Sequence, residues 1–249
     1  MITTDKICIL VPLYKPSLDD WEYQSLKQLF NVFGNKYEIC ILTSRSLQNN
    51  IPSFRYIFPF SDVRFIFDDH FFLDTNEYSK LMLNIKLYTE LKRYEFDYVL
   101  IYQTDCWVFR DELEYWCNKD FDYIGSPFFI RVSDKNYDNI KYNHCYNGNG
   151  GFSLRKVDSF IKNIERLNKL IVNVMTDIVP MPEDRFIAEH FHFEKHPTFT
   201  ECAAFGWDGA PDILYTINDF KLPFGCHKFN IYYHSFYKKN NFIDILKDA

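Results

Sequence analysis

The sequence predicts an α/β fold, a mainly parallel central sheet flanked by helices in a single domain. Short, continuous apolar runs recur along the first half of the chain, as in strands that are buried on both faces. Segments with helical spacing separate these runs, an alternation typical of parallel sheets. The 249 residues are 47% apolar and 25% charged, which suits one large globular domain.

Four apolar runs in the first half are predicted strands: Ile7–Leu13, Tyr37–Thr43, Val63–Phe67 and Tyr98–Gln103. Ligands of open parallel sheets bind where strands end at their carboxyl side. We therefore expect the loops that follow these four runs to form the functional site.

Two helices are predicted between these strands. Ser17 is a candidate N-cap for a helix that runs to about Phe30 and stops at Gly34. A longer helix is predicted over Glu77–Tyr94, where apolar residues recur at helical spacing, namely Leu81, Ile85, Tyr88 and Leu91.

The second half of the chain is less regular and contains no repeat. Its predicted elements are a short strand at Asp122–Gly125, a polar connection at Arg131–Tyr146, helices at Arg155–Leu170 and Glu183–Phe193, and a loop at Leu222–Phe229.

Composition narrows the function classes. The net charge is −6 and no long basic run occurs, which argues against a nucleic-acid partner but allows a local phosphate site. The seven cysteines form no CxxC pair, which favours a reducing cytoplasm over a disulfide framework or a zinc site. The 19% aromatic content reflects either genome composition or a groove that stacks rings.

No signal peptide and no apolar stretch of membrane-spanning length is recognisable, so the protein is expected to be cytoplasmic. The segment from Tyr237 is basic and then apolar. It is expected either to dock as a terminal helix or to touch the inner face of a membrane peripherally.

Thr104 and Asp105 directly follow the apolar run YVLIYQ. A carboxylate at the end of a central strand can hold a divalent cation such as Mn²⁺ or Mg²⁺, and the cation can neutralise a bound diphosphate. The alternative is an aspartate that only caps the next turn.

The segment NGNGGFSLR contains three glycines, which allow the backbone to approach a ligand closely. It matches neither of the common glycine-rich nucleotide motifs, and a simple tight turn is the alternative. The segment leads directly into a predicted helix that begins at Arg155, so exposed N–H groups lie nearby.

Glu183 and Asp184 open a predicted helix, where the helix dipole favours acids. Capping alone would explain them. In a catalytic interpretation, one carboxylate accepts a proton from a hydroxyl group. Adjacent helical residues point about 100° apart, so only one faces a site. We assign the base to Asp184, and acceptor binding or support to Glu183.

His227 and Lys228 lie on a loop that Gly225 loosens. They could reach a phosphate, and His227 could complete a metal site with Asp105. An ordinary hydrogen-bonded histidine is the alternative. The first interpretation requires Asp105 and His227 to face the same cleft.

Seven segments occur together in a specific order: ICILVPLY, EYSKLMLNIKLY, YVLIYQTDCWVF, FDYIGSP, GNGGFSLR, PEDRF and LPFGCHKF. Over roughly residues 5–230 the chain resembles a bacterial family of A-type (GT-A) glycosyltransferases that was formerly classed as a domain of unknown function. The resemblance implies a nucleotide-diphosphate sugar donor, with uridine diphosphate (UDP) the commonest. It also implies a saccharide or lipid-linked saccharide acceptor in surface polysaccharide or lipopolysaccharide synthesis.

The resemblance also implies residue roles. A nucleotide-binding half spans about 1–110, an acceptor-binding half about 111–235, and a tail 236–249. The implied donor-binding residues are Pro12, Leu13, Tyr14, Thr43, Ser44, Arg45, Lys80, Thr104, Asp105, His227 and Lys228. The implied sugar pocket consists of Asn149, Gly150, Gly151 and Arg155.

The chain departs from the usual pattern at Asp105, because similar enzymes carry a second acid there and this chain has Gln103 and Trp107. The site therefore holds either a cation on Asp105 and His227 or a metal-free diphosphate on Lys228 and Arg155.

Inverting transfer with Asp184 as the base is our leading hypothesis, with a retaining mechanism as its closest variant. A nucleotidyltransferase that makes sugar nucleotides and a non-catalytic glycan-binding module are the alternatives. The oligomeric state is left open.

Overall fold

The computed structural model of the protein describes residues 2–49, 64–128, 148–170 and 181–245. The predicted connection Arg131–Tyr146 lies outside these residues. The described strands are β1 Ile7–Leu13, β2 Glu38–Ser44, β3 Arg64–Phe67, β4 Tyr98–Tyr102, β5 Trp107–Val108, β6 Tyr123–Gly125, β7 Phe152–Lys156, β8 Gly206–Trp207 and β9 Gly225–Cys226. The described α-helices are α1 Asp20–Phe33, α2 Thr75–Met82, α3 Ile85–Arg93, α4 Leu113–Asn118, α5 Val157–Leu170, α6 Glu183–His190, α7 Phe199–Phe205, α8 Pro211–Ile217 and α9 Phe229–Tyr232.

The main sheet has the strand order β3-β2-β1-β4-β7-β6. Strands β1 to β4 run parallel, whereas β7 is antiparallel to both β4 and β6. This sheet, with helices packed against it, confirms the predicted α/β fold with a mainly parallel sheet. β1 has its predicted bounds, and β4 ends at Tyr102, one residue early.

The register between β4 and β7 decides where the site forms. Tyr102, the last residue of β4, pairs with Phe152, the first residue of β7. The Gln103 amide then donates to the Gly151 carbonyl at 3.0 Å. The antiparallel pairing therefore brings the glycine segment before β7 beside the Thr104-Asp105 segment after β4.

The first helix begins at Asp20, and its cap is Asp19, so the expectation of a Ser17 cap is wrong. The Asp19 carboxylate accepts from the Glu22 amide at 3.0 Å, and the Glu22 carboxylate accepts from the Asp19 amide at 2.9 Å. This reciprocal capping box satisfies two amide donors at once, which a serine cap alone cannot do.

The predicted helix Glu77–Tyr94 is in fact two helices, α2 and α3. Between them, the Asn84 side chain accepts from the Lys86 amide at 2.9 Å and caps α3. Asparagine offers the backbone this local alternative to a continuous helix. The predicted apolar stripe remains, since Leu81, Tyr88 and Leu91 are buried on both sides of the break.

Arg155 lies in β7 and not in the predicted helix, which begins two residues later as α5. Residues of β7 pair with β4 on one side and with β6 on the other, and this double pairing overrides the helical pattern. Near the C-terminal end, the predicted helix Glu183–Phe193 stops at His190, and the predicted loop Leu222–Phe229 contains β9 and the start of α9.

Apolar clusters cover both faces of the main sheet. Leu29 of α1 belongs to one cluster, and Leu87 of α3 and Phe160 of α5 belong to the other. A third cluster joins β8 and β9 to the C-terminal segment and includes Trp207, Tyr237 and Ile243. Burying each such side chain stabilises the fold by roughly 1.5–3 kcal/mol. In the described part of the chain, no helix has the length and apolar character needed to cross a membrane.

Candidate functional site

Two adjoining cavities open at the carboxyl ends of β1 and β4. The strand-end cavity, of about 440 Å³, is lined by residues that include Pro12, Tyr14, Trp21, Tyr78, Asp105 and Asn230. The carboxylate cavity, of about 680 Å³, is lined by residues that include Ser79, Asn149, Glu183, Asp184, His227 and Lys228. Thr75 and Gln103 line both cavities, so the two share part of a wall.

A cluster of charged side chains lies where the cavities meet. His227 Nε2 is 3.1 Å from Asp105 Oδ1 and 2.9 Å from Gln103 Oε1. On the other side of the ring, Nδ1 is 2.7 Å from Asp208 Oδ1, which also accepts from Lys228 Nζ at 3.0 Å. The structure thus brings Asp105 and His227 together, although they are far apart in sequence.

Backbone pairing holds His227 in this place. β9 pairs with both β5 and β8, and the His227 amide donates to the Trp207 carbonyl at 2.7 Å. The Phe229 amide donates to the Asp105 carbonyl at 3.1 Å, which ties the following turn to the end of β4. The C-terminal loop is therefore joined by its main chain to the strand-end segment.

The imidazole of His227 is a strong base in this cluster. Burial alone would lower its pKa, but the hydrogen bonds to Asp105 and Asp208 outweigh burial and raise the pKa to about 9. His227 is therefore protonated at neutral pH in the ligand-free protein. With Lys228, it supplies two positive charges beside two carboxylates.

The chemistry of the donor atoms partly fits a divalent cation. Asp105, Cys106 and His227 place potential ligand atoms within 4.8 Å of one another. The Cys106 thiol donates to the Gly151 carbonyl, and burial raises its pKa well above the usual value, so it stays a neutral thiol and a poor ligand. Asp105 is a suitable ligand, and His227 becomes one when Nε2 loses its proton, because metal binding requires a neutral imidazole. Asp208 orients the ring as carboxylates do at metal sites.

The second group of acids opens α6, in the wall of the carboxylate cavity. Glu183 is turned towards the protein: Oε1 lies 3.4 Å from Arg155 Nη2, and Oε2 accepts from Ser79 Oγ at 3.2 Å. Asp184 Oδ2 accepts from the Gly150 amide at 3.2 Å. Burial is the main cause that raises the pKa of both carboxyl groups. A raised pKa makes a carboxylate a better proton acceptor.

Arg155 is fully buried beneath the glycine segment and does not line either cavity. Its guanidinium donates to Tyr88 Oη at 2.9 Å, to Ser153 Oγ at 3.1 Å and to the Gly150 carbonyl at 3.3 Å. The expectation that Arg155 lies in the sugar pocket or binds a diphosphate is therefore not met by this arrangement. Arg155 instead holds the Glu183 end of α6 against the glycine segment.

Gly150 and Gly151 allow the close approach that this arrangement requires. A Cβ atom on Gly150 would lie 2.0 Å from Glu183 Oε1. A Cβ on Gly151 would lie 2.5 Å from His227 Nε2 and 2.7 Å from Gln103 Oε1. Any larger residue would therefore displace the site's own side chains.

We expect Gly151→Ala to lower the free energy of unfolding by about 1–3 kcal/mol, because overpacking displaces buried groups. Gly209→Ala is the matched control: its Cβ would meet only Tyr232 Oη at 3.5 Å, so it should stay within about 0.5 kcal/mol of the wild type. Urea denaturation measures both. Equal stability of the two variants would show that the site tolerates a side chain at Gly151.

Other residues implied by the resemblance lie outside both cavities. Thr43 and Ser44 are buried, and Thr43 Oγ1 donates to the Leu13 carbonyl at 2.8 Å. Arg45 pairs with Asp68 at 3.1 Å and Lys80 with Glu77 at 2.6 Å, both on the surface. Leu13 is a core residue, whereas its neighbours Pro12 and Tyr14 line the strand-end cavity.

Sequence reasoning missed Asp208 and the roles of Gln103 and Ser79. Asp208 follows β8 directly, but nothing in its spacing links it to His227, 19 residues later. Gln103 lies two residues before Asp105, where similar enzymes can carry a second acid. Its side-chain oxygen accepts from the His227 imidazole. Ser79 is buried on α2, and nothing in the polar sequence around it distinguishes it from its neighbours.

Comparison with solved structures supports the fold. The chain is similar to the galactosyltransferase LgtC in complex with donor and acceptor sugar analogues, with 13% identity, a TM-score of 0.51, and coverage of 88% of this chain and 86% of the other. An active-site mutant of LgtC gives 13% identity, a TM-score of 0.50 and the same coverage. The shared architecture is that of the GT-A fold.

Two sequence comparisons concern the family of the chain. No curated protein matches the chain significantly. The family model described as "Protein of unknown function (DUF5672)" matches residues 62–227, which include the Asp105, glycine, Glu183-Asp184 and His227 segments. Since this match spans well over half of the 249 residues, the chain belongs to the DUF5672 family.

Proposed function

We propose that the protein is a glycosyltransferase that moves a sugar from a nucleotide-diphosphate donor to a hydroxyl group of a saccharide acceptor. One observation carries this proposal: Oδ1 of Asp105, in the wall of the strand-end cavity, lies 3.1 Å from Nε2 of His227, in the wall of the carboxylate cavity. Transfer requires such a junction, where charge on a leaving diphosphate is neutralised beside a base that activates the acceptor.

The donor occupies the strand-end cavity in this proposal. Tyr14, Trp21 and Phe72 supply aromatic surface for a base, and Asp105 also lines the cavity. Lys228 lines the carboxylate cavity and donates a hydrogen bond to a diphosphate oxygen as negative charge develops. The acceptor occupies the carboxylate cavity, where Asp184 takes the proton of the attacking hydroxyl.

Charge in the strand-end cavity supports a divalent cation. Four acids line it, Asp19, Glu22, Asp74 and Asp105, against one lysine, Lys15. A diphosphate entering alone would meet repulsion. Asp105 and His227 would hold Mn²⁺ or Mg²⁺ together with donor oxygens, and the cation would stabilise the leaving group as a Lewis acid.

The finer assignments are supported by the sequence resemblance alone. They are a UDP-sugar donor, hexosyl transfer with inversion, and an acceptor in bacterial surface polysaccharide or lipopolysaccharide synthesis. The enzyme would act in the cytoplasm, at most peripherally at the inner membrane face. The anomeric configuration of the product, read by NMR, separates inversion from retention.

We expect Asp105→Asn to weaken Mn²⁺-dependent binding of UDP at least tenfold, because losses around metal ligands cost about 10–100-fold. Calorimetry with and without Mn²⁺ measures this. Asp68→Asn is the control, since Asp68 pairs with Arg45 and lines neither cavity. Wild-type binding that is indifferent to Mn²⁺ would remove the cation, and no affinity for UDP, GDP, CDP or ADP would remove the proposed function.

A further inference from the structure

Two buried polar atoms in the wall of the strand-end cavity have no hydrogen-bond partner among the described residues: Tyr78 Oη and Asn230 Oδ1. A buried polar group without a partner destabilises the folded state by about 1–3 kcal/mol. Native proteins retain few such groups, and each one requires an explanation, such as a bound ligand, ion or water.

Among the described buried atoms without a partner, these two are the ones whose residues line a cavity. Five buried side-chain atoms in the described part of the chain lack a partner, and the other three belong to Trp116, Ser126 and Arg166. None of those three residues lines either cavity. The two at the strand-end cavity come from separate segments, α2 and α9, so a single local distortion does not account for both.

The surroundings of Tyr78 place its hydroxyl near the junction of the cavities. The Gln103 side chain, which lines both cavities, lies close enough to lower the pKa of the hydroxyl but outside hydrogen-bond geometry, and the Glu183 carboxylate is a second polar neighbour. Burial, and to a smaller extent Glu183, raises the pKa of Tyr78. The hydroxyl therefore keeps its proton at neutral pH and is a hydrogen-bond donor.

Asn230 lies on α9, a short helix close to the C-terminal end of the described chain. It follows Phe229, whose amide is bonded to the Asp105 carbonyl, so its side chain is held close to the end of β4. Its Oδ1 can only accept a hydrogen bond. A ligand that satisfies both atoms must accept from Tyr78 and donate to Asn230, which one hydroxyl group or two neighbouring hydroxyl groups can do.

We propose that Tyr78 and Asn230 bind hydroxyl groups of the donor substrate, carried by its ribose or by the transferred sugar. This inference rests on the proposed function, since it assumes that a nucleotide sugar occupies the strand-end cavity. It adds two specificity-determining residues that the sequence motifs do not include.

The test combines stability and binding for Tyr78→Phe, Asn230→Leu and the control Tyr98→Phe. Tyr98 Oη donates to Asp120 at 2.8 Å and lines neither cavity. Tyr78→Phe should leave the melting temperature of the free protein unchanged or higher, because it deletes an unpaired group, whereas Tyr98→Phe should lower it. Each site variant should weaken ligand binding about three- to tenfold, and the control should not.

Calorimetry in the presence of Mn²⁺ with UDP, GDP, CDP and ADP, and with UDP-glucose and GDP-mannose, distinguishes the two sources of hydroxyls. Equal weakening of the nucleotide and its nucleotide sugar assigns the contacts to ribose, and weakening of the nucleotide sugar alone assigns them to the transferred sugar. If both site variants bind every ligand as the wild type does, the inference is wrong and the proposed function stands. If the wild type binds none of them, both are wrong.

Discussion

Asp184→Asn is expected to lower sugar transfer by about 10²–10⁴-fold, the usual contribution of a positioned general base. An asparagine keeps the shape of the side chain and one oxygen that accepts from the Gly150 amide, which lies 3.2 Å from Asp184 Oδ2 in the wild type. It loses the bond that Asp184 Oδ1 accepts from the Arg185 amide at 2.7 Å. It cannot take a proton from the acceptor. Release of nucleotide diphosphate by the purified protein, with donor and acceptor present, measures the loss.

The control for this variant is Asp158→Asn. Asp158 also lies in the first turn of a helix, so both variants remove the same favourable interaction with a helix dipole. Asp158 is exposed and pairs with Lys92 at 2.9 Å, away from both cavities. Nucleotide binding should be retained in both variants. Turnover of Asp184→Asn at the wild-type level would exclude Asp184 as the base.

Arg155→Met is expected to lower the free energy of unfolding by about 3–5 kcal/mol, the usual effect of removing one partner of a buried ion pair. The variant leaves Glu183 buried without its cation and Tyr88 Oη without its donor. Urea denaturation at pH 7 measures the loss.

The pH dependence of this loss identifies its cause. Burial already raises the pKa of Glu183 above its ordinary value of 4.5, and removing the Arg155 charge raises it further. A carboxyl group whose pKa is higher in the folded state costs stability as the pH rises above its unfolded value, and costs little below it. The destabilisation should therefore shrink as the pH falls towards 4.5.

The double variant Arg155→Met/Glu183→Gln is the matched control, because glutamine carries no charge. It should recover a large part of the lost stability and lose the extra pH dependence. A double variant that is no more stable than Arg155→Met would show that Arg155 acts through the Gly150 carbonyl and Tyr88, and not through Glu183.

Local sequence patterns predicted the strands well, because a strand that is buried on both faces is apolar along its own length. The run Ile7–Leu13 is apolar throughout since β1 is buried on both faces, and its bounds could be predicted without tertiary information. Asp105 at the end of β4 was predicted in the same way. Glu183 and Asp184 open α6 as the sequence indicated.

Some predictions were wrong because long-range strand pairing overrides the local pattern, and others because a second local signal competes with it. Arg155 looks helical in isolation, but pairing of β7 with β4 and β6 places it in a strand. Asn84 divides a continuous apolar stripe because its side chain caps a new helix. Lys80 was assigned by resemblance, yet it points to the surface, where it pairs with Glu77.

The sequence by itself determined the fold class and the chemical types at the site, since periodicity and residue chemistry are properties of short segments. Tertiary structure alone decided which groups act on one another. The antiparallel register of β7 places Gly151 beside Gln103, and β9 brings His227 between Asp105 and Asp208. Such contacts depend on strand order and register, which no local pattern encodes.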